Sequence, residues 1–324
     1  MTAAYVDHLS FALGSVREDV ARAVADERTL SPAATLRSAG FEFHHRCADG
    51  ESALDLAIRA VDPVLAKLGR GRLGRIDAIV YATCLPGNAN VGDARRFEAT
   101  RDVKHVMDFP ASRLQAHFGL DDAVVIGVSQ QACTGMLGSL RLARALIVAE
   151  PSMSRLLCLT SDRFPPGALY EQSYNLISDG AAACVVSREE GAFEYVGGHQ
   201  ITNGALAAAS DDETVGSFFN YTHRAIQETL ERSKLASKDL AWVVAQNTNR
   251  KAWQILSRLL GIPPERVAMP TIAETAHMIS GDNIVNLKSL EDEGALRPGD
   301  LLLLPMAGYG MNWQCTLLRR RARA

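Results

Sequence analysis

Short apolar runs alternate with longer stretches of helical periodicity along this chain. Residues 76–83 read as a buried strand, preceded by a helix over roughly 51–68. Residues 124–128 form the next predicted strand. Behind it Leu137, Leu140, Leu142, Leu146 and Ile147 recur at roughly helical spacing. Residues 155–160 and 180–186 follow as third and fourth strands, the last rich in small residues that suit close packing. A second series gives strands at 193–197, 240–245, 301–305 and 314–319, with helices at 221–233 and 251–260. Such alternation implies an α/β architecture with mostly buried sheets.

Residues 75–80 and 239–244 each follow a helix and a short polar link, and both lead into polar or small loops. Two halves built alike are therefore expected, 1–186 and 187–324. The segment 85–108 breaks the pattern: it is polar, carries Arg95, Arg96 and Arg101, and is long for a loop in a compact domain.

With 324 residues, 47% hydrophobic and 22% charged, the chain suffices for one large or two medium domains. A net charge of -3, with a basic run only at Arg319, Arg320, Arg321 and Arg323, argues against a nucleic-acid partner. No stretch approaches the roughly 18 consecutive apolar residues of a membrane helix, and residues 1–10 lack a basic start followed by an apolar run. Cys47, Cys84, Cys133, Cys158, Cys184 and Cys315 form no CxxC pair, which argues against zinc and disulfide frameworks. A reducing cytoplasmic setting without membrane association is expected.

The segment 124–136 carries the chemistry. An apolar run ends, Gln130 and Gln131 follow, and Cys133 stands before the helical pattern with Ala132, Thr134 and Gly135 around it. A sulfur there lies at a helix N-terminus, where unpaired amides and the helix dipole favour thiolate. Small neighbours leave room for a substrate. The arrangement suits a nucleophile for acyl chemistry.

Five landmarks together resemble the thiolase fold, most closely ketoacyl-ACP synthase III. Gln131-Ala132-Cys133-Thr134-Gly135 resembles the family's Ala-Ala-Cys-Ala/Ser-Gly, and residues 76–83 resemble its strand before the dimer-side loop. Ser178-Asp179-Gly180-Ala181 resembles Gly-Asp-Gly-Ala, and residues 294–304 resemble the Gly-x-Ile-x-Pro-Gly-Asp segment. Gly308-Tyr309-Gly310-Met311-Asn312-Trp313 stands where the family has Gly-Gly-Gly-Phe-x-Trp. The resemblance implies a five-layered α-β-α-β-α thiolase fold of two pseudo-symmetric halves, a homodimer, and an acyl-enzyme at Cys133. It implies no cofactor: the phosphopantetheine of acyl-CoA or of an acyl carrier protein enters as substrate.

Two departures bear on the reaction. Decarboxylating members use Cys, His and Asn, with the His in His-Gln-Ala-Asn. Here that place reads Gln246-Asn247-Thr248-Asn249, while counting back from Gly294 puts His277 at the place of the family Asn. A histidine has gone from one catalytic position and appeared at the other. That resembles synthase III-like acyltransferases acting with Cys, His and Asp, with Asp282 or Glu274 to orient the ring. Such enzymes move an acyl group to a small-molecule oxygen or nitrogen acceptor, and they fit specialised metabolism. Condensation would instead draw enolate donors from Gln246, Asn249 and His277. A non-catalytic ketosynthase partner is the third reading, against which the retained Cys133 counts.

Gln246, Asn247 and Asn249 are expected to line the pocket. The Cys133 amide and the turn at Gly308, Tyr309 and Gly310 are expected to form the oxyanion hole. Asp179 is read as structural. Arg37 matches a family arginine near the CoA adenine, but the family's partner tryptophan is absent, so a carrier-protein donor fits equally.

Overall fold

The computed structural model describes residues 3–69, 75–85, 94–107, 109–173, 175–309 and 311–322. The chain begins β1 (Tyr5–Leu13), β2 (Val16–Asp19), α1 (Val20–Ala25), α2 (Ala33–Ala39), β3 (Phe43–Arg46), α3 (Ala53–Leu68), β4 (Ala78–Ala82). It continues α4 (Ala94–Thr100), α5 (Pro110–Phe118), β5 (Val124–Val128), α6 (Gly135–Ala149), β6 (Arg155–Asp162), β7 (Glu171–Gln172), β8 (Asn175–Leu176), β9 (Gly180–Ser187). It closes β10 (Phe193–Thr202), α7 (Asp211–Arg232), β11 (Trp242–Val244), α8 (Arg250–Leu259), β12 (Val267–Ala268), α9 (Ile272–Thr275), α10 (Asp282–Asp292), β13 (Leu301–Gly308), β14 (Asn312–Arg320).

Ten strands join in the order β12-β11-β13-β14-β10-β1-β9-β6-β4-β5. The central junction is narrow, with β1 meeting β10 only at Tyr5↔Glu194 and Val6↔Phe193. On each side of it five strands repeat one order: third, second, fourth, fifth, first. In each set the second strand runs parallel to both neighbours, and the fifth runs antiparallel to both of its own.

Helices fill three layers. The apolar stripe of α3 (Leu56, Ala57, Ala60, Val61, Val64) and Leu114 of α5 cover the outer face of the first set. Ala225, Ile226 and Leu230 of α7 and Trp253 and Leu256 of α8 cover the outer face of the second. Between the two sets lie α6 and α10, each touching strands of both. The architecture is the α/β thiolase fold. The window Ala132–Ala149 is apolar and long enough to cross a bilayer, but 56% of it is buried inside the protein.

Several elements depart from the sequence expectation. The predicted helix over 221–233 begins ten residues earlier, at Asp211 under a Ser210–Glu213 capping box. The predicted sheet burial fails at β5, where Val124 is 48% exposed and no residue is fully buried, because this strand is the outer edge of its sheet. Residues 86–93 and 108 of the segment 85–108 lie outside the described residues. Its remainder forms α4 and a short turn, with Arg95, Arg96 and Arg101 exposed.

Candidate active site

Cys133 lies in the tight turn Ala132–Thr134 that leads into α6. Ala132 holds the left-handed region at φ 43, a costly state for a residue with a Cβ. Thr134 Oγ1 donates to Gln131 O at 2.7 Å, and Ser280 Oγ donates to Ala132 O at 2.9 Å. These bonds hold the strained turn and aim the sulfur into a cavity of about 610 Å³.

His277 reaches that cavity from the link between α9 and α10. Its amide donates to Leu176 O (2.9 Å), and its carbonyl accepts from Ser178 N (2.9 Å), so a β-bridge fixes the backbone. Ala276 before it adopts φ 49, ψ -153, and Ile279 after it adopts φ 46. Cys133 and His277 thus each follow an alanine in left-handed backbone, a strain of order 1–3 kcal/mol each.

The carboxylate left open by the sequence is Asp282. Its Oδ2 lies 2.6 Å from His277 Nδ1 and accepts from Asn247 N at 2.7 Å, while Oδ1 accepts from Met278 N at 2.7 Å. It is fully buried as the first residue of α10, where the helix dipole favours an anion. Glu274 instead pairs with Arg17 and stands half-exposed. Burial opposes a charged ring at His277, but the charge and hydrogen bond of Asp282, with the Cys133 sulfur, hold it up at about 10. Cys133 moves the other way, to about 5: a hydrogen bond from Cys84 lowers it most, burial opposes, and His277 lowers it further. Thiolate beside imidazolium is the resting pair near neutrality.

Gln246 stands on the other side of the ring. Its Nε2 donates to Ala307 O (3.1 Å) and its Oε1 accepts from Ala307 N (3.1 Å), so the backbone fixes the amide orientation. Nε2 then faces His277 Nε2 at 3.4 Å. Asn249 lines the cavity, but its side chain caps α8 by accepting from Lys251 N. Asn247 does not line it. Fully buried, it donates to Thr271 Oγ1, Thr275 Oγ1 and Ala276 O, and so acts behind Asp282 rather than on a ligand. Arg37 is likewise absent from the lining, its guanidinium being held by Asp19 and Glu42.

Gly308 abuts the nucleophile: a Cβ there would lie 2.7 Å from Cys133 N and 3.2 Å from Gln131 O. The space a side chain would fill leaves the Cys133 amide open to an oxyanion. The second expected donor falls in a turn whose Gly310 lies outside the described residues. Among the described residues of that turn Met311 is left-handed (φ 56). Tyr309 is 41% exposed, and its hydroxyl lies 2.5 Å from Ser173 Oγ, across the cavity rim. Phe218 and Phe219 of α7 and Ile255 of α8 give the cavity an apolar wall, with Lys251 beside it. Asp179 accepts from Cys47 N, Phe164 N and Tyr170 Oη, a framework role away from the sulfur.

Sequence reasoning missed two residues. Cys84 lines the cavity beside Cys133, and buried Asp162 pins its strand end by accepting from Thr83 Oγ1 (2.7 Å) and Cys84 N (2.8 Å). Neither has a local sequence signal; the fold alone brings them to the nucleophile.

Comparison with known proteins gives the family and the fold. Family models for 3-oxoacyl-[acyl-carrier-protein] synthase III match residues 129–204, and for its C-terminal part residues 230–320. The chain belongs to the ketoacyl synthase III-like family of the thiolase superfamily. It is 25% identical over 309 residues to a β-ketoacyl-[acyl-carrier-protein] synthase III of Rhodobacter capsulatus, covering 86% of this chain and 88% of that one. Synthase III (FabH) of Pseudomonas aeruginosa PAO1 superposes with a TM-score of 0.79 at 24% identity, over 99% of both chains. The acyltransferase ChlB3 gives 0.79 at 18% identity, again over 99% of both. Within this synthase III-like frame, members are enzymes acting on thioesters.

Proposed function

We propose that this protein transfers an acyl group from a CoA or carrier-protein thioester, through an acyl-Cys133 intermediate, to an oxygen or nitrogen acceptor. The observation that carries the reading is the Asp282–His277 hydrogen bond beside Cys133, with a glutamine where the family resemblance expects a histidine. The Cys133 thiolate attacks the donor carbonyl. As the carbon–sulfur bond to the pantetheine breaks, the imidazolium gives its proton to the departing thiolate. His277 is then neutral, with Asp282 on Nδ1 and the unprotonated Nε2, which Gln246 Nε2 faces at 3.4 Å, near the acyl-sulfur bond. It takes the acceptor proton as the oxygen or nitrogen attacks, and expulsion of the Cys133 thiolate restores the ion pair.

Decarboxylative condensation needs donors free to bind an enolate oxygen. The Gln246 amide is tied to Ala307 through both Oε1 and Nε2, which favours the proton-transfer reading; Asn249 caps α8 through Oδ1, which leaves its Nδ2 a donor at the cavity. We further propose a homodimer joined through the exposed apolar edge strand β5, in a cytoplasmic setting.

The test is discharge of pre-acylated enzyme into an alcohol or amine. His277→Ala is expected to slow discharge by about 10²–10⁴-fold, the usual contribution of a general base, and Gln246→Ala by less than about tenfold. The opposite ranking would return the lead to the 246 position and overturn the assignment.

A further inference from the structure

We infer that Cys84 and Cys133 form a reversible intramolecular disulfide, a modification site that shields the nucleophile under peroxide. The two cysteines come from different elements: Cys84 follows β4, and Cys133 precedes α6. The elements pack hard together, since a Cβ on Gly135 would lie 3.1 Å from the Ala82 Cβ. Both side chains line the same cavity and interact with each other. Asp162 fixes the Cys84 backbone through its 2.8 Å bond, so the second thiol is held ready rather than swinging in solution. Cys84 is only partly buried, on an open cavity that a small oxidant enters.

The other four cysteines offer no competing site. Cys47, Cys158, Cys184 and Cys315 are at most 6% exposed, and none lines the cavity. Cys158 and Cys184 face each other in register across β6 and β9, yet both are fully sealed. Burial raises those four thiols, and Cys84 is raised too, by its hydrogen bond to Cys133 and by burial, so it serves as the protonated resolving thiol; Cys133 beside imidazolium is the thiolate, the form that attacks peroxide.

The chemistry balances with hydrogen peroxide as oxidant. The Cys133 thiolate attacks one peroxide oxygen; a sulfur–oxygen bond forms, the oxygen–oxygen bond breaks, and hydroxide leaves with the His277 proton as water. The Cys84 sulfur then attacks the sulfenic sulfur. A sulfur–sulfur bond forms, the sulfur–oxygen bond breaks, and the Cys84 proton departs with that oxygen as a second water. Two thiols are oxidised and one peroxide is reduced; a dithiol reverses the modification. Without Cys84 the sulfenic acid goes on to the irreversible sulfinic acid.

The experiment treats the reduced full-length protein with hydrogen peroxide, then combines intact mass, thiol titration and non-reducing peptide mapping. The expected result is loss of two hydrogens, loss of two titratable thiols, and a crosslinked peptide joining Cys84 to Cys133. Acyl-CoA loading should fall more than about tenfold and return with dithiothreitol. Pre-acylated enzyme should not crosslink. Cys84→Ser should gain oxygen at Cys133 instead, without recovery. Wild type that gains oxygen at Cys133 while Cys84 still alkylates, or a crosslink mapping to Cys158–Cys184, would overturn the inference. The mass readout needs no acceptor, so it stands apart from the acyl-transfer reading.

Discussion

In the proposed cycle His277 gives its proton to the departing pantetheine thiolate and takes one back from the acceptor, and the opposite shifts of Cys133 and His277 set the pH range in which that works. The thiolate exists above about pH 5 and the imidazolium below about pH 10. Acylation is therefore expected to be flat near neutrality, with an acid limb near the first value and an alkaline limb near the second. Rapid-quench loading across this range checks it. Asp282→Asn removes the charge that holds the imidazolium, so the alkaline limb should move to lower pH and loading should slow. An unmoved limb would deny Asp282 its role. Cys133→Ala should form no thioester adduct by mass spectrometry. At this scale the sequence displayed what a motif register can display: Cys133, His277 and the shortlist of two carboxylates. It could not separate Asp282 from Glu274, because the choice depends on which carboxylate is buried at a helix start and which is drawn off by Arg17. Arg37 and Asn247 stand outside the cavity lining, because matching position does not fix where a side chain finds its partners.

The elements make the site by forcing backbone into unusual states. Gly308 at the end of β13 leaves room beside the Cys133 amide, and the obstacle to a side chain there is backbone, which cannot step aside. Gly308→Ala should cost about 1–3 kcal/mol in denaturant unfolding and depress acylation more than a neutral core change of equal cost. Ala276, at φ 49 and ψ -153, is the converse case. Ala276→Gly relieves the strain and should raise the unfolding midpoint if its gain in native comfort exceeds the added freedom of the unfolded chain. A fall would mean that the strain is smaller than the backbone angles suggest. The long periodic helices and apolar strands were legible in the sequence. By contrast α10 was not, because it is buried nearly all round and includes Asp282, Asn283 and Asn286, leaving no amphipathic stripe to read. The same holds for β1, whose register slips between Asp7 and Ser10 at left-handed His8, breaking the period of two.

At the scale of the molecule, one strand order used twice brings the Cys133 turn from the first set of strands against the His277–Asp282 link from the second. The two similar sequence stretches, 75–80 and 239–244, run into β4 and β11, the second strand of each set; the spatial order was not legible, since neighbours in each sheet are distant in sequence. The exposed strand β5 predicts that the protein sediments at twice its 35.0 kDa chain mass, and that a charge at Val124 shifts it toward monomer. Monomeric wild type would remove that proposal without touching the site.

The central claim is that acyl-Cys133 is discharged to a heteroatom by His277. Its most direct measurement offers isolated acyl-enzyme either a panel of alcohols and amines or a malonyl thioester, following the adduct by intact mass and the gas phase for carbon dioxide. The account predicts loss of the adduct to an alcohol or amine with an ester or amide product and no carbon dioxide. Loss only to the malonyl thioester, with carbon dioxide released, would make the protein a carbon–carbon-forming synthase and contradict the role given to His277.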